Sequence, residues 1–198
     1  ALSYKEILEL AEVYTAHNHS PEGQIGLPVE VQLSWIAAYS ESRTFNVYYG
    51  TDANDVNDSQ PGSLLGDTTL IADHTSTSLT ETFTPDTTYY WRVDAVDGTT
   101  VYADEGIHTF SIAPANSYNL LPADGILDIP VDSVILSWHP GSLPVDGYNL
   151  YLGTSQSNLI KQNTSLLTEP NYMPTGLTEN TTYYWQVEDV AASNVLSP

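Results

Sequence analysis

The sequence predicts an all-β chain: two tandem β-sandwiches preceded by a short N-terminal helix. Three observations carry this reading. The chain repeats itself internally, its apolar residues alternate with period two, and clusters of Gly, Pro, Asn and Asp separate the alternating runs. Period-two alternation marks half-buried strands. Short strands between such turn clusters point to a sandwich, not to a parallel sheet flanked by helices.

The repeat is the strongest of the three. Leu33-Ser34-Trp35 returns as Leu136-Ser137-Trp138, and Asn46-Val47-Tyr48-Tyr49-Gly50-Thr51 returns as Asn149-Leu150-Tyr151-Leu152-Gly153-Thr154, both at an offset of 103 residues. Thr87-Thr88-Tyr89-Tyr90-Trp91-Arg92-Val93 returns as Thr181-Thr182-Tyr183-Tyr184-Trp185-Gln186-Val187 at an offset of 94, so the first copy holds nine extra residues between these landmarks. The copies also open alike, with Pro21-Glu22-Gly23 and Pro28-Val29 answered by Pro122-Ala123-Asp124-Gly125 and Pro130-Val131. The 198 residues divide into a lead-in (1–19), a first sandwich (20–113), a linker (114–117) and a second sandwich (118–198).

The elements follow in chain order. Over residues 3–14, Ser3 and Glu6 match a capping box, and Tyr4, Ile7, Leu8, Ala11 and Tyr14 form one apolar stripe. That is a helix of about three turns, too short to be stable unless it packs on something. Val29, Val31, Leu33 and Trp35 share one face of the next run, with Glu30, Gln32 and Ser34 on the other. Phe45, Val47 and Tyr49 repeat the pattern before Gly50 turns the chain. The four tryptophans occupy two equivalent positions per copy, where alternation points them inward as core. Tyr48, Tyr90, Tyr151 and Tyr184 fall on the opposite face, where cross-strand pairing against solvent is expected. In the first copy Phe110 follows Trp91 by 19 residues, within a last strand around 106–112, whereas only 13 residues follow Trp185. The final strand of the second sandwich is therefore expected to be missing or incomplete, and supplied by continuing polypeptide or donated by another chain.

Phe83-x-Pro85-x-Thr87-x-Tyr89-x-Trp91-x-Val93-x-Ala95 resembles the corner before strand F, and strand F itself, of fibronectin type III domains. Leu177-x-Glu179-x-Thr181-x-Tyr183-x-Trp185-x-Val187 keeps the pattern without the proline and the final alanine. The resemblance implies immunoglobulin-like sandwiches, with Tyr89 and Tyr183 as tyrosine corners and Trp35 and Trp138 as the core tryptophans of strand B. The opening Ala1-Leu2-Ser3-Tyr4-Lys5-Glu6-Ile7-Leu8-Glu9-Leu10 is similar to the closing segment of laminin-G-like, concanavalin-type domains. That likeness implies a lead-in belonging to an upstream domain of a large bacterial secreted or surface protein.

Composition narrows the partners. The formal net charge is −21, with only Lys5, Arg43, Arg92 and Lys161 as cations, so no phosphate backbone or anionic bilayer is matched. No apolar run is long enough to span a membrane, and the chain has no cysteine for disulfides or thiolate sites. A polar surface of Ser, Thr, Asn and Gly, poor in Lys and Arg, suits a secreted or cell-surface protein. No Arg-Gly-Asp tripeptide occurs, so the adhesion loop of some fibronectin domains does not carry over.

No catalytic or cofactor-binding residue is expected. Asp55-x-Asn57-x-Ser59 has the alternate oxygen spacing that calcium uses, but Gln60 stands where a sharp turn needs glycine. Asp94, Asp97, Asp104 and Glu105 gather near the loop after strand F. Calcium is thus the one metal the spacing admits, on the weak candidates Asp55, Asn57, Asp94 and Asp97. His17 and His19 are neighbours while His74, His108 and His139 are scattered, so spacing suggests no zinc site. Asn18, Asn57, Asn163 and Asn180 open glycosylation sequons.

The expected role is a non-catalytic spacer, stalk or adhesion segment of a larger extracellular protein. Its partners would be neighbouring domains of the same chain, copies of itself, or glycans. Two other roles stay open on the sequence: a subunit of a self-assembling filament using strand donation, and a carbohydrate-binding or spacer module attached to a glycan-degrading enzyme.

Overall fold

The computed structural model describes residues 15–37, 43–104 and 106–192. The helix expected over 3–14, Glu105, and the residues after 192 where the last strand of the second copy was sought lie outside the described residues. The chain separates into two compact units, Ala1–Ala113 and Pro114–Pro198.

In the first unit, β1 (His17–Ser20), β3 (Glu30–Ile36) and β6 (Ser78–Thr82) form one sheet in the order β1-β3-β6. The second sheet runs β2 (Gln24–Leu27), β9 (His108–Ile112), β7 (Thr88–Asp97), β4 (Thr44–Gly50) and β5 (Thr69–His74), with β8 (Thr100–Tyr102) paired to β7. Pairing is antiparallel except that β2 lies parallel to β9, from Gln24 opposite Phe110 to Leu27 opposite Ile112. The chain therefore changes sheets between β1 and β2, and this crossing sets the end of β1 beside the start of β9.

The predicted alternation appears as burial. Val31, Leu33 and Trp35 of β3 are buried between exposed Glu30 and Gln32, and they meet Phe45, Val47, Trp91, Val93 and Phe110 across the sandwich. At the corner before β7, Thr84 N–H donates to the Tyr89 hydroxyl at 3.3 Å. That bond anchors the corner as the resemblance implied.

The second unit repeats the plan with β10 (Tyr118–Leu121), β11 (Leu136–His139) and β14 (Asn171–Tyr172) in one sheet. The other holds β13 (Ile160–Lys161), β12 (Val145–Gly153) and β15 (Tyr184–Ala191), in that order. Leu136, Trp138, Tyr148 and Leu150 are buried in its core, and half-buried Trp185 packs on them. Thr178 N–H donates to the Tyr183 hydroxyl at 2.9 Å, the same corner bond. The equivalence reaches the backbone. Asn18 and Asn119 are both left-handed (φ 53° and 49°), as are Asp86 and Asn180 (both φ 55°). The fold class is all-β, with one sandwich plan built twice in tandem.

The nine extra residues of the first copy help build a cap over one face of β4 and β7. Its centre is α1 (Ala53–Asp58), a helix whose N-cap Asp52 accepts from the N–H groups of Asn54 and Asp55. Asp67 closes the cap by accepting from Thr51 N–H at 3.0 Å and from the Thr51 hydroxyl at 2.7 Å. These bonds hold the Asp67 carboxyl below the usual carboxylate range. A depressed folded-state pKa contributes stability above the unfolded-state pKa, and that contribution is lost as pH falls through the folded one. Asp67→Asn should therefore cost about 1 kcal/mol or less at pH 7, because the group is largely exposed. Urea unfolding of both proteins as a function of pH checks this: the gap closes as Asp67 protonates.

Candidate functional site

The chemistry-bearing side chains of the first unit gather where the chain changes sheets. His19 sits near the end of β1, Asp104 in the loop after β8, and His108 at the first position of β9. His19 Nε2 lies 3.0 Å and His108 Nε2 3.1 Å from the same Asp104 oxygen, Oδ2. The three donor atoms lie within 4.8 Å of one another. The two imidazole rings stack with centroids 3.8 Å apart, and Trp91 forms the floor, 5.5 Å from His19 and 5.4 Å from His108. Trp91 is itself fixed by donating its Nε1–H to the Pro21 carbonyl at 3.1 Å.

Two of the three members are held from behind. His108 Nδ1 meets the Glu22 carboxylate at 2.7 Å, from the turn between β1 and β2. Asp104 Oδ1 accepts from Gly106 N–H, and Asp104 N–H donates to Asp94 Oδ1 at 3.1 Å. The side chains of His19, Asp104 and His108 are only 5%, 10% and 17% exposed. Burial alone would raise the Asp104 pKa, but the His108 hydrogen bond, the adjacent His19 ring and Gly106 N–H outweigh it and hold the carboxyl far below its ordinary range. Burial likewise disfavours the charged form of His108, yet Asp104 and Glu22 together raise its pKa.

The His19 ring is the exception to this support. Its Nε2 is sealed from solvent and, although 3.0 Å from Asp104, is out of line for a hydrogen bond.

The calcium candidates are placed differently. Asn57 and Asp94 converge on Arg92: its guanidinium donates to Asn57 O at 2.9 Å and to Ser59 O, and lies 3.5 Å from Asp94 Oδ2. Arg92 thus puts a cation among these oxygens. Asp55 instead lies against Gly66, where any Cβ would collide with its carboxylate and where the backbone is left-handed (φ +52°). Asp97 faces Arg43 at 3.9 Å from the end of β7. Glu105 is not among the described residues.

One sequence expectation is corrected here. Tyr48, expected on a solvent face, is fully buried, with the Arg92 guanidinium 4.2 Å above its ring. The cap explains this, since α1 packs on both β4 and β7 and covers their second face. In the second copy the equivalent Tyr151 has no such cap and its hydroxyl donates to Glu188 at 2.9 Å. The sequon at Asn163 is spent: its buried amide accepts from Leu150 N–H and donates to the Tyr148 carbonyl. Asn18, Asn57 and Asn180 are exposed.

Spacing treats His19 and His108 as unrelated, and neither was a site candidate. Two signals were available: Asp104-x-x-x-His108, and the copy-to-copy contrast that sets Leu120 where the first unit has His19.

Among solved structures, the chain is similar to a two fibronectin type-III domain segment from chicken tenascin, at 15% identity over 90% of this chain and 93% of that one, with a TM-score of 0.40. It is also similar to the FN1-FN3 domains of chicken CNTN1, a contactin, at 13% identity over 89% of this chain and 60% of that one, with a TM-score of 0.35. No protein-family model and no curated protein matches the chain. Among the described residues, no helix is long and apolar enough to cross a membrane.

Proposed function

We propose that this chain is a non-catalytic spacer segment of a larger extracellular protein. The observation that carries this reading is that one sandwich is built twice, down to the same corner bond and the same left-handed backbone positions. A repeated rigid unit adds length and separation, and repeating it requires no new chemistry. Three of the four tryptophans are buried and the fourth is half-buried on a core, which leaves no row of open tryptophan rings for stacking on sugars. The net charge of −21 with four cations keeps such units soluble and repels one from another.

Antibodies raised against the folded chain provide the test. On intact source cells or in their medium they should detect an antigen well above 21.7 kDa. Antigen found only after lysis would overturn the reading.

A further inference from the structure

The His19–Asp104–His108 cluster is more than the fold requires. The second unit builds the same strand with Leu120 at the position of His19, and Leu120 packs against that unit's core. A leucine therefore satisfies this site in the sandwich. The first unit instead buries a histidine whose Nε2 lies 3.0 Å from a carboxylate oxygen, out of line for a hydrogen bond to it. A buried imidazole held against a carboxylate in poor hydrogen-bond geometry is costly unless something else completes it.

The donor geometry says what completes it. Donors about 2.1 Å from a common tetrahedral centre stand roughly 3.4 Å apart, close to the 3.0 and 3.1 Å observed around Asp104 Oδ2. Two imidazole nitrogens turn the site away from calcium and magnesium, which prefer all-oxygen shells, and toward a transition metal. Glu22 supplies the outer half of the arrangement. By accepting from His108 Nδ1–H at 2.7 Å it holds the ring so that Nε2, once its proton leaves, turns its lone pair into the cluster, as carboxylate partners of metal-bound histidines do. Trp91 closes the apolar side.

We propose that His19 Nε2, His108 Nε2 and Asp104 Oδ2 bind one zinc ion, with the fourth position taken by water. The ion ties the end of β1 and the loop after β8 to the start of β9, where the chain changes sheets. It acts as a clasp on the first sandwich and stands independently of the spacer reading.

The test uses the intact chain, stripped with a chelator and titrated with zinc by calorimetry, then with cobalt by visible absorption. One zinc should bind per chain, raising the melting temperature, and cobalt should give the intense spectrum of a four-coordinate site. His19→Leu, which copies the second unit, should weaken zinc binding at least about a hundredfold and abolish the melting shift. Glu22→Gln alters a half-exposed side chain and leaves all three ligands in place; it should weaken binding about tenfold. His139→Gln, in the other unit, should change nothing. Absence of saturable binding, or equal affinity in wild type and His19→Leu, overturns the proposal. Should His19→Leu fail to fold, Glu22→Gln decides: unchanged affinity overturns the site and a tenfold loss supports it.

Discussion

Arg92→Met should destabilise the first sandwich by about 3–5 kcal/mol, because it removes one partner of a buried ion pair and leaves the other. The side chains of Arg92 and Asp94 are 4% and 1% exposed, and Asn57 and Ser59 lose the donor that satisfied their carbonyls. Arg92→Met/Asp94→Leu should recover most of the loss, since an apolar pair of similar volume replaces both charges. The sign with pH is informative. Burial raises the Asp94 pKa even with Arg92 present, so the folded state holds this proton more tightly than the unfolded state. Ionised Asp94 costs stability as pH rises through that folded-state pKa, and removing Arg92 strengthens the effect. The deficit of Arg92→Met should therefore shrink on acidification. Denaturant titrations at pH 5 and pH 7 measure it, and a deficit independent of pH would contradict the assignment.

Trp91→Ala should cost about 3–5 kcal/mol, the usual range for truncating a buried tryptophan. A domain of this size has roughly 5–15 kcal/mol in hand, so the loss is a large share of its stability. Three features make the site unforgiving. The ring is fully buried, its N–H is the donor for the Pro21 carbonyl, and it floors the His19 and His108 rings. Trp91→Phe keeps an aromatic floor but loses the bond to Pro21, and a smaller cost of about 1–2 kcal/mol is expected. Thermal unfolding of the three proteins gives the order; equal stability of all three would remove Trp91 from the core.

The sandwich was legible because its signals are local. The alternation of Val31, Leu33 and Trp35 needs only one strand, and the corner tyrosines sit in a pattern that occurs twice. Tyr48 was misplaced because alternation assumes that one face of a strand meets water. In β4 both faces are covered, the second by a six-residue helix too short for helical periodicity to register. The histidine cluster was illegible for a topological reason. His19 and His108 stand 89 residues apart and meet only because the crossing from β1 to β2 brings one sheet's first strand to the other sheet's β9. The repeat held the missing information, since a polar residue in one copy opposite an apolar residue in the other marks a position the fold leaves free.

The most direct measurement is anomalous diffraction at the zinc edge from crystals of the intact chain soaked in zinc. The account predicts one strong peak in the first sandwich, about 2.1 Å from His19 Nε2, His108 Nε2 and Asp104 Oδ2, with Glu22 still on His108 Nδ1. A first sandwich with no peak there, and with His19 and His108 simply hydrogen-bonded to Asp104, would contradict it.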